Sequence, residues 1–172
     1  MVLIIPKFFG KQECQFWKDY CMFASKNKTL EVGLKTGGKD KMNHVDRNYY
    51  TVRSHFTFMD KLKETAEKHW EQKLYYSKKA YAHLMHYKEE GQGLEWHAEP
   101  AISTVSVSIN LSSSDEYEGA DFEIKEHDFD LKQGDAVFYS SGLIHQVTPL
   151  SKGHKKSFVL WLKSKKQHEE DK

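Results

Sequence analysis

Three side chains in this sequence could hold one metal ion together: His97, Glu99 and His145. In an extended strand, residues two apart project from the same face, so His97 and Glu99 can reach a shared ion. A histidine arriving from a distant strand would complete a 2-His-1-carboxylate set. Such a set leaves coordination positions open for a chelating cosubstrate and for oxygen. Imidazole and carboxylate suit Fe(II) or Mn(II), and no thiolate nearby argues for a structural zinc site. The remaining histidines, His44, His55, His69, His83, His86, His127, His154 and His168, are assigned to surface or core.

Lys155 follows His145 by ten residues, and Ser157 stands two positions further on. In a strand that spacing places an ammonium and a hydroxyl on one face, where they match the distal carboxylate of a bound diacid. A lysine-rich turn by itself reads as solvated surface. Its distance from the metal-type histidine gives it a ligand.

These groups need a scaffold. From about Gly10 to Ser25 the apolar set Cys14, Trp17, Cys21 and Ala24, widened by Phe16, Tyr20 and Phe23, recurs at three and four residues and predicts a helix with a broad buried face. A second helix is expected near Met59 to Lys73, with Leu62, Ala66 and Trp70 on one side. Between them, Thr36 to Asn48 is polar with a Gly-Gly pair and reads as a loop. It could be a substrate lid, together with Arg47, Tyr49 and Arg53, or a plain surface loop. From Ala80 onward the texture becomes short strands: Ala80–Lys88, Leu94–Glu99, Ser103–Leu111, Ala120–Ile124, Asp128–Leu131, Asp135–Tyr139, Leu143–Thr148 and Ser157–Lys163. Their number and spacing suggest a barrel or sandwich. The third alternates cleanly, with Val105, Val107, Ile109 and Leu111 on one face and Thr104, Ser106, Ser108 and Asn110 on the other. The polar face could meet solvent or line a polar cavity.

The 172 residues fit one domain, with helical support over about 1–79, a β core over about 80–163 and a charged tail over 164–172. The 26 Lys and Arg nearly cancel the 25 Asp and Glu, and a net charge of +1 makes no electrostatic case for nucleic acid or an anionic membrane. The opening run Val2-Leu3-Ile4-Ile5 stops at Pro6, too short for a signal-peptide core, and nothing approaches the roughly 20 apolar residues of a membrane span. Cys14 and Cys21, at helical spacing, read as buried thiols, which fits a reducing cytoplasm.

Taken in order, these segments resemble the prolyl 4-hydroxylase-like branch of the 2-oxoglutarate/Fe(II) oxygenases, from about Ala80 to Leu162 and more faintly from Phe8. Tyr87 stands ten residues before His97, as the family's cosubstrate-contacting tyrosine does. Tyr117-Glu-Gly-Ala-Asp-Phe-Glu-Ile124 is similar to the family's Gly-containing strand. The run from Leu131 through His145 to Pro149 resembles the segment leading into the distal histidine, and Gly153-x-Lys155-x-Ser157 the basic cosubstrate anchor. The resemblance implies a mainly β fold with N-terminal helices around a double-stranded β-helix (jelly-roll, cupin-like) core. It implies Fe(II), 2-oxoglutarate and O2 as cofactors, with ascorbate in support. His97, Glu99 and His145 would bind iron, and Lys155 the C5 carboxylate, with Tyr87 and Ser157 as hydrogen-bonding helpers. Where relatives place a second tyrosine on the third strand this chain has Asn110, so Asn110 or Ser108 would donate instead. Glu99 stands where the family usually has Asp, which leaves open weakened iron affinity or an altered reaction.

The reaction so implied hydroxylates a C–H bond, with prolyl residues of a peptide or protein the expected substrate and a small molecule the other possibility. Two other classes compete. A cupin-like metal hydrolase or isomerase would use the same three ligands without needing Lys155 and Ser157. A non-catalytic binding module would keep the fold without oxygenase turnover.

Overall fold

A computed structural model of the chain describes residues 1–25, 30–33 and 45–171. In chain order the elements are β1 (Val2–Ile5), α1 (Lys11–Ser25), β2 (Leu30–Gly33), β3 (Val45–Val52), α2 (Thr57–Trp70), β4 (Tyr75–Tyr76) and β5 (Ala82–Tyr87). There follow β6 (Leu94–His97), β7 (Val105–Asn110), β8 (Tyr117–Gly119), β9 (Phe122–Ile124), β10 (Ala136–Ser140), β11 (His145–Val147), β12 (Leu150–Gly153), β13 (Lys155–Lys163) and α3 (Lys165–Glu170). No helix among the described residues is long and apolar enough to cross a membrane.

The major sheet runs β1-β10-β7-β13-β5-β3-β2, with β4 added to β13, and every pairing in it is antiparallel. Two small sheets, β6-β11-β9 and β12-β8, face it. This is the double-stranded β-helix arrangement, mostly β with few helices. Alternation along β13 decides what lies on each side of the major sheet. Phe158, Leu160 and Leu162 enter the main core with Leu84, Val107, Ile109 and Phe138. The opposite set, Lys155, Ser157, Val159 and Trp161, lines a cavity between the sheets.

The helices cover the core side. Cys14, Trp17 and Cys21 of α1 are buried, and Trp17 packs edge-on to Phe158 at 5.2 Å. Burial pushes the two thiols up to about 11 for Cys14 and about 12 for Cys21, so they stay protonated as packing groups. The buried face of α1 is narrower than its periodicity predicted, because Phe16 and Phe23 are exposed. Helix α2 buries Met59, Leu62 and Ala66 and ends where Glu71 turns left-handed at φ 51°, short of the expected Lys73.

Several local expectations are corrected. Asp128–Leu131 forms no strand; Phe129 and Leu131 instead pack from a loop against the cluster of Ile124, Val137 and Tyr139. The expected strand Ala120–Ile124 is broken at Ala120, whose φ of 50° turns the chain between β8 and β9. Residues 45–48, expected in a loop, begin β3, because antiparallel pairing captures them: Val45 and Arg47 lie opposite Gly33 and Val32 of β2, and Asn48 lies between Glu31 of β2 and His86 of β5. The rest of that expected loop, 36–44, lies outside the described residues. The charged residues 165–170 form α3, opened by a capping box in which the Ser164 hydroxyl accepts from the Gln167 backbone N–H.

A candidate metal centre and the cavity behind it

His97 and His145 sit directly opposite each other in the β6–β11 pairing, and their ring centroids are 4.3 Å apart. β6 ends at His97, so Glu99 lies two residues past the strand rather than within it. Hydrogen bonds restore the geometry that strand alternation would have supplied. The Glu99 N–H donates to the Ser141 carbonyl at 2.8 Å, and its carbonyl accepts from Ile102 N–H (3.0 Å) and Ser103 N–H (3.2 Å). One ligand atom from each of His97, Glu99 and His145 falls within 4.8 Å of the other two.

The imidazoles are oriented for metal binding. His97 Nδ1 lies 2.7 Å from the Glu95 carbonyl and His145 Nδ1 lies 2.8 Å from the Leu143 carbonyl. A carbonyl only accepts, so each Nδ1 donates there, which leaves each Nε2 as the ring atom turned towards an ion. Burial lowers the His145 pKa, which favours the neutral form a ligand needs. For Glu99, burial raises the pKa, but the contacts with His97 and Trp161 outweigh it and leave the carboxyl below its usual range. The donor set therefore fits a divalent ion of the Fe(II) or Mn(II) type.

The register of the major sheet gathers the other predicted residues. Ser157 lies opposite Asn110 on one side and Met85 on the other, and Lys155 lies opposite Tyr87. One cavity is lined by Lys155, Tyr87, Ser157, Asn110 and Ser108 together with the three metal-type ligands. The polar face of β7 thus lines a cavity. Lys155 is buried, its ammonium donating to the Ala120 carbonyl and lying 5.2 Å from the centre of the Tyr117 ring. Burial lowers its pKa to about 8, against a small opposing pull from Asp121. Among the described residues it has no carboxylate ion-pair partner. Asn110 is already committed: its amide N–H groups donate to the Tyr117 hydroxyl and the Leu131 carbonyl, and its oxygen accepts from Ser112 N–H.

Trp161, Tyr139 and Tyr117 went unassigned in the sequence. Trp161 donates its indole N–H to Glu99 Oε2 at 3.0 Å. Tyr139 meets His145 edge-on at 4.8 Å. Both could have been found from strand phase: Trp161 shares parity with Lys155 and Ser157, and Tyr139 with Val137. Tyr117 had no such signal, since β8 belongs to another sheet. The mouth continues into a second hollow that shares Arg47, Glu99 and Trp161 with the first and adds Tyr49, His83 and Lys79. There Tyr49 stacks on His83 at 4.6 Å. Arg53, expected beside them, instead donates to the Lys79 carbonyl.

No protein-family model matches the chain. Among curated proteins, a PKHD-type hydroxylase of Stenotrophomonas maltophilia is 36% identical over 66 residues, which is 36% of this chain and 29% of that protein. A PKHD-type hydroxylase of Psychrobacter is 30% identical over 89 residues, covering 43% of this chain and 34% of that one. The chain thus matches about a third of the length of these relatives. Among solved structures, a Pseudomonas putida prolyl-4-hydroxylase superposes with a TM-score of 0.69 at 13% identity, over 95% of this chain and 92% of that one. A viral collagen prolyl hydroxylase of Paramecium Bursaria Chlorella virus-1, solved as a 2OG complex, gives 0.63 at 12% identity over 95% of each chain. The non-heme α-ketoglutarate-dependent epimerase SnoN of nogalamycin biosynthesis gives 0.71 at 9% identity, over 95% and 78%. The fold is that of the 2-oxoglutarate/Fe(II) oxygenases, and the matched segment is similar to PKHD-type hydroxylases.

Proposed function

We propose that this chain is a non-haem Fe(II)- and 2-oxoglutarate-dependent oxygenase that hydroxylates a prolyl residue in a peptide or protein. The observation that carries the reading is one cavity with two complementary ends. At one end, one ring nitrogen from each of two imidazoles and a carboxylate oxygen converge within 4.8 Å. At the other, the buried Lys155 ammonium has no carboxylate ion-pair partner among the described residues and donates only to the Ala120 carbonyl. A dianion that chelates a metal through one end and carries a carboxylate at the other satisfies both.

In this reading His97, Glu99 and His145 hold the iron, and Lys155 pairs with the distal carboxylate of 2-oxoglutarate. Tyr87 and Ser157 donate hydroxyls to that carboxylate, with Ser108 beside them. Asn110 acts indirectly, by holding the Tyr117 hydroxyl. With iron, 2-oxoglutarate and O2 bound, the centre supplies oxidative decarboxylation to succinate and CO2 and puts the second oxygen atom into a substrate C–H bond. Leu94, Phe122, Val147 and Val159 of the lining exclude water around the metal ligands. Arg47, Tyr49 and Trp161 sit where the cavity opens and meet the substrate.

The prolyl substrate rests on the motif resemblance to prolyl 4-hydroxylases and on the likeness to solved prolyl hydroxylases, while the same fold also serves an epimerase. The balanced charge favours a peptide over nucleic acid, and the two free buried thiols favour a cytoplasmic setting.

Anaerobic titration with Fe(II) and then 2-oxoglutarate tests the site. The parent protein is expected to develop the visible charge-transfer band of the chelate, and His97→Ala and His145→Ala are expected to lose stoichiometric metal. Full occupancy in both variants would sink the assignment. Glu99→Ala should lose hydroxylation, with succinate formation and substrate oxidation followed separately. Hydroxylation of a prolyl peptide, read by mass, tests the substrate class.

A further inference from the structure

Glu99 poses a mechanical problem that an aspartate would not. Its backbone is fixed on both sides, by the N–H donating to the Ser141 carbonyl and the C=O accepting from Ile102 and Ser103. Ser141 is itself held, its hydroxyl 2.7 Å from Ser103 Oγ and 2.9 Å from Ser106 Oγ in a buried cluster. The main chain at Glu99 therefore cannot shift to compensate for side-chain length. A glutamate carries one more rotatable bond than an aspartate, and both carboxylate oxygens are able to bind a metal.

The indole of Trp161 removes that freedom. Its N–H donates to Oε2 at 3.0 Å, while Oε1 is left 3.6 Å from His97 Nε2, on the side of the two histidines. Trp161 is itself well placed to act as a fixed donor. It lies on β13 opposite Ser106 of β7, and its ring meets His83 edge-on at 4.9 Å, with His83 stacked in turn on Tyr49. An aspartate here would end roughly 1.5 Å closer to its own backbone, the length of a C–C bond, and would leave the indole N–H out of reach.

We propose that Trp161 is the positioning residue that makes Glu99 serve as the carboxylate ligand, occupying Oε2 so that Oε1 alone faces the metal. The inference rests on the metal reading of His97, Glu99 and His145. It makes the length of the acid and the presence of the indole N–H interdependent, which a purely structural tryptophan would not do.

The test is a double-mutant cycle on metal affinity, with no turnover involved. Apo protein is titrated with Co(II), followed by its visible absorption, for the parent, Trp161→Phe, Glu99→Asp and the double variant. The unfolding midpoint of each is measured alongside, and Trp161→Tyr is carried as a second packing-conservative variant. Loss of a hydrogen bond to a charged group costs about 1.5–3 kcal/mol, so Trp161→Phe and Trp161→Tyr should each weaken Co(II) binding about tenfold or more and alter its absorption spectrum. On the Glu99→Asp background the same change should cost less than about twofold. Equal losses on both backgrounds, or no loss on the Glu background, would overturn the proposal. A parent protein that binds no Co(II) would overturn the metal reading instead.

Discussion

Lys155 is a buried cation held charged against its surroundings, and that has a measurable consequence. Its pKa is lowered to about 8 by burial, below the ordinary lysine value of about 10.4. Only the protonated form attracts a carboxylate. Affinity for 2-oxoglutarate should therefore be level below about pH 7 and fall above about pH 8, by up to tenfold per unit, as the free protein loses this proton. Isothermal titration from pH 6.5 to 9.5 reads the effect, and a flat profile would remove Lys155 from the role. Lys155→Ala should lose about 1.5–3 kcal/mol of binding, roughly tenfold to somewhat over a hundredfold. Lys156→Ala should not, because Lys156 has the opposite strand phase and does not line the cavity.

At the scale of elements, the site depends on how tightly the short β8–β12 pair closes beside it. Gly153 pairs with Tyr117 and has φ +75°, and a Cβ there would come within 2.0 Å of the Glu116 carbonyl oxygen. The left-handed backbone alone costs about 1–2 kcal/mol in an L-residue, and backbone-to-backbone crowding adds to it. Gly153→Ala should lower stability by at least that much in urea unfolding. It should also weaken 2-oxoglutarate more than it weakens metal, because β12 leads directly into Lys155 while His97 and His145 belong to the separate β6–β11 pair. Equal losses of the two affinities would show that the sheets move as one.

For the molecule as a whole, buried neutral histidines set the acid limit. Burial, aided by Lys156, His154 and Lys88, lowers His86 to about 3, and burial together with Arg47 lowers His83 to about 4 despite the pull of Glu99. The unfolded chain takes up these protons near 6.5, whereas the folded chain resists them until much lower pH. The unfolded state thus binds more protons throughout the interval, and stability present above about pH 6.5 is lost as the pH falls towards 4 and then 3. The urea midpoint should drop between pH 7 and 5, before most carboxylates titrate. His86→Gln, which keeps a polar group facing His154, should flatten part of that slope. An unchanged slope would show that His86 is not among the groups responsible.

Much of this was local and therefore readable in the chain itself. Alternation of Val105, Val107 and Ile109 with Ser106, Ser108 and Asn110 gave a strand with one apolar face, and the three-and-four spacing of Cys14, Trp17 and Cys21 gave a helix, because burial imposes those periods on sequence. Residue type, spacing and the order of the segments pointed to the metal-type residues and the Lys155–Ser157 pair, and the fold brings them to one cavity. Only tertiary structure decided whether the polar face of β7 met water or a cavity, since that depends on which sheet lies opposite. The same holds for Glu99. Strand alternation was the reason to pair it with His97, yet the strand ends first, and long-range hydrogen bonds to Ser141 and Trp161 bring the carboxylate in. Asp128–Leu131 had a strand's composition without a strand's partner, and its apolar residues pack from a loop. Periodicity records which face of a segment is buried; the partner that buries it is chosen by contacts far apart in sequence, and no local pattern carries that choice.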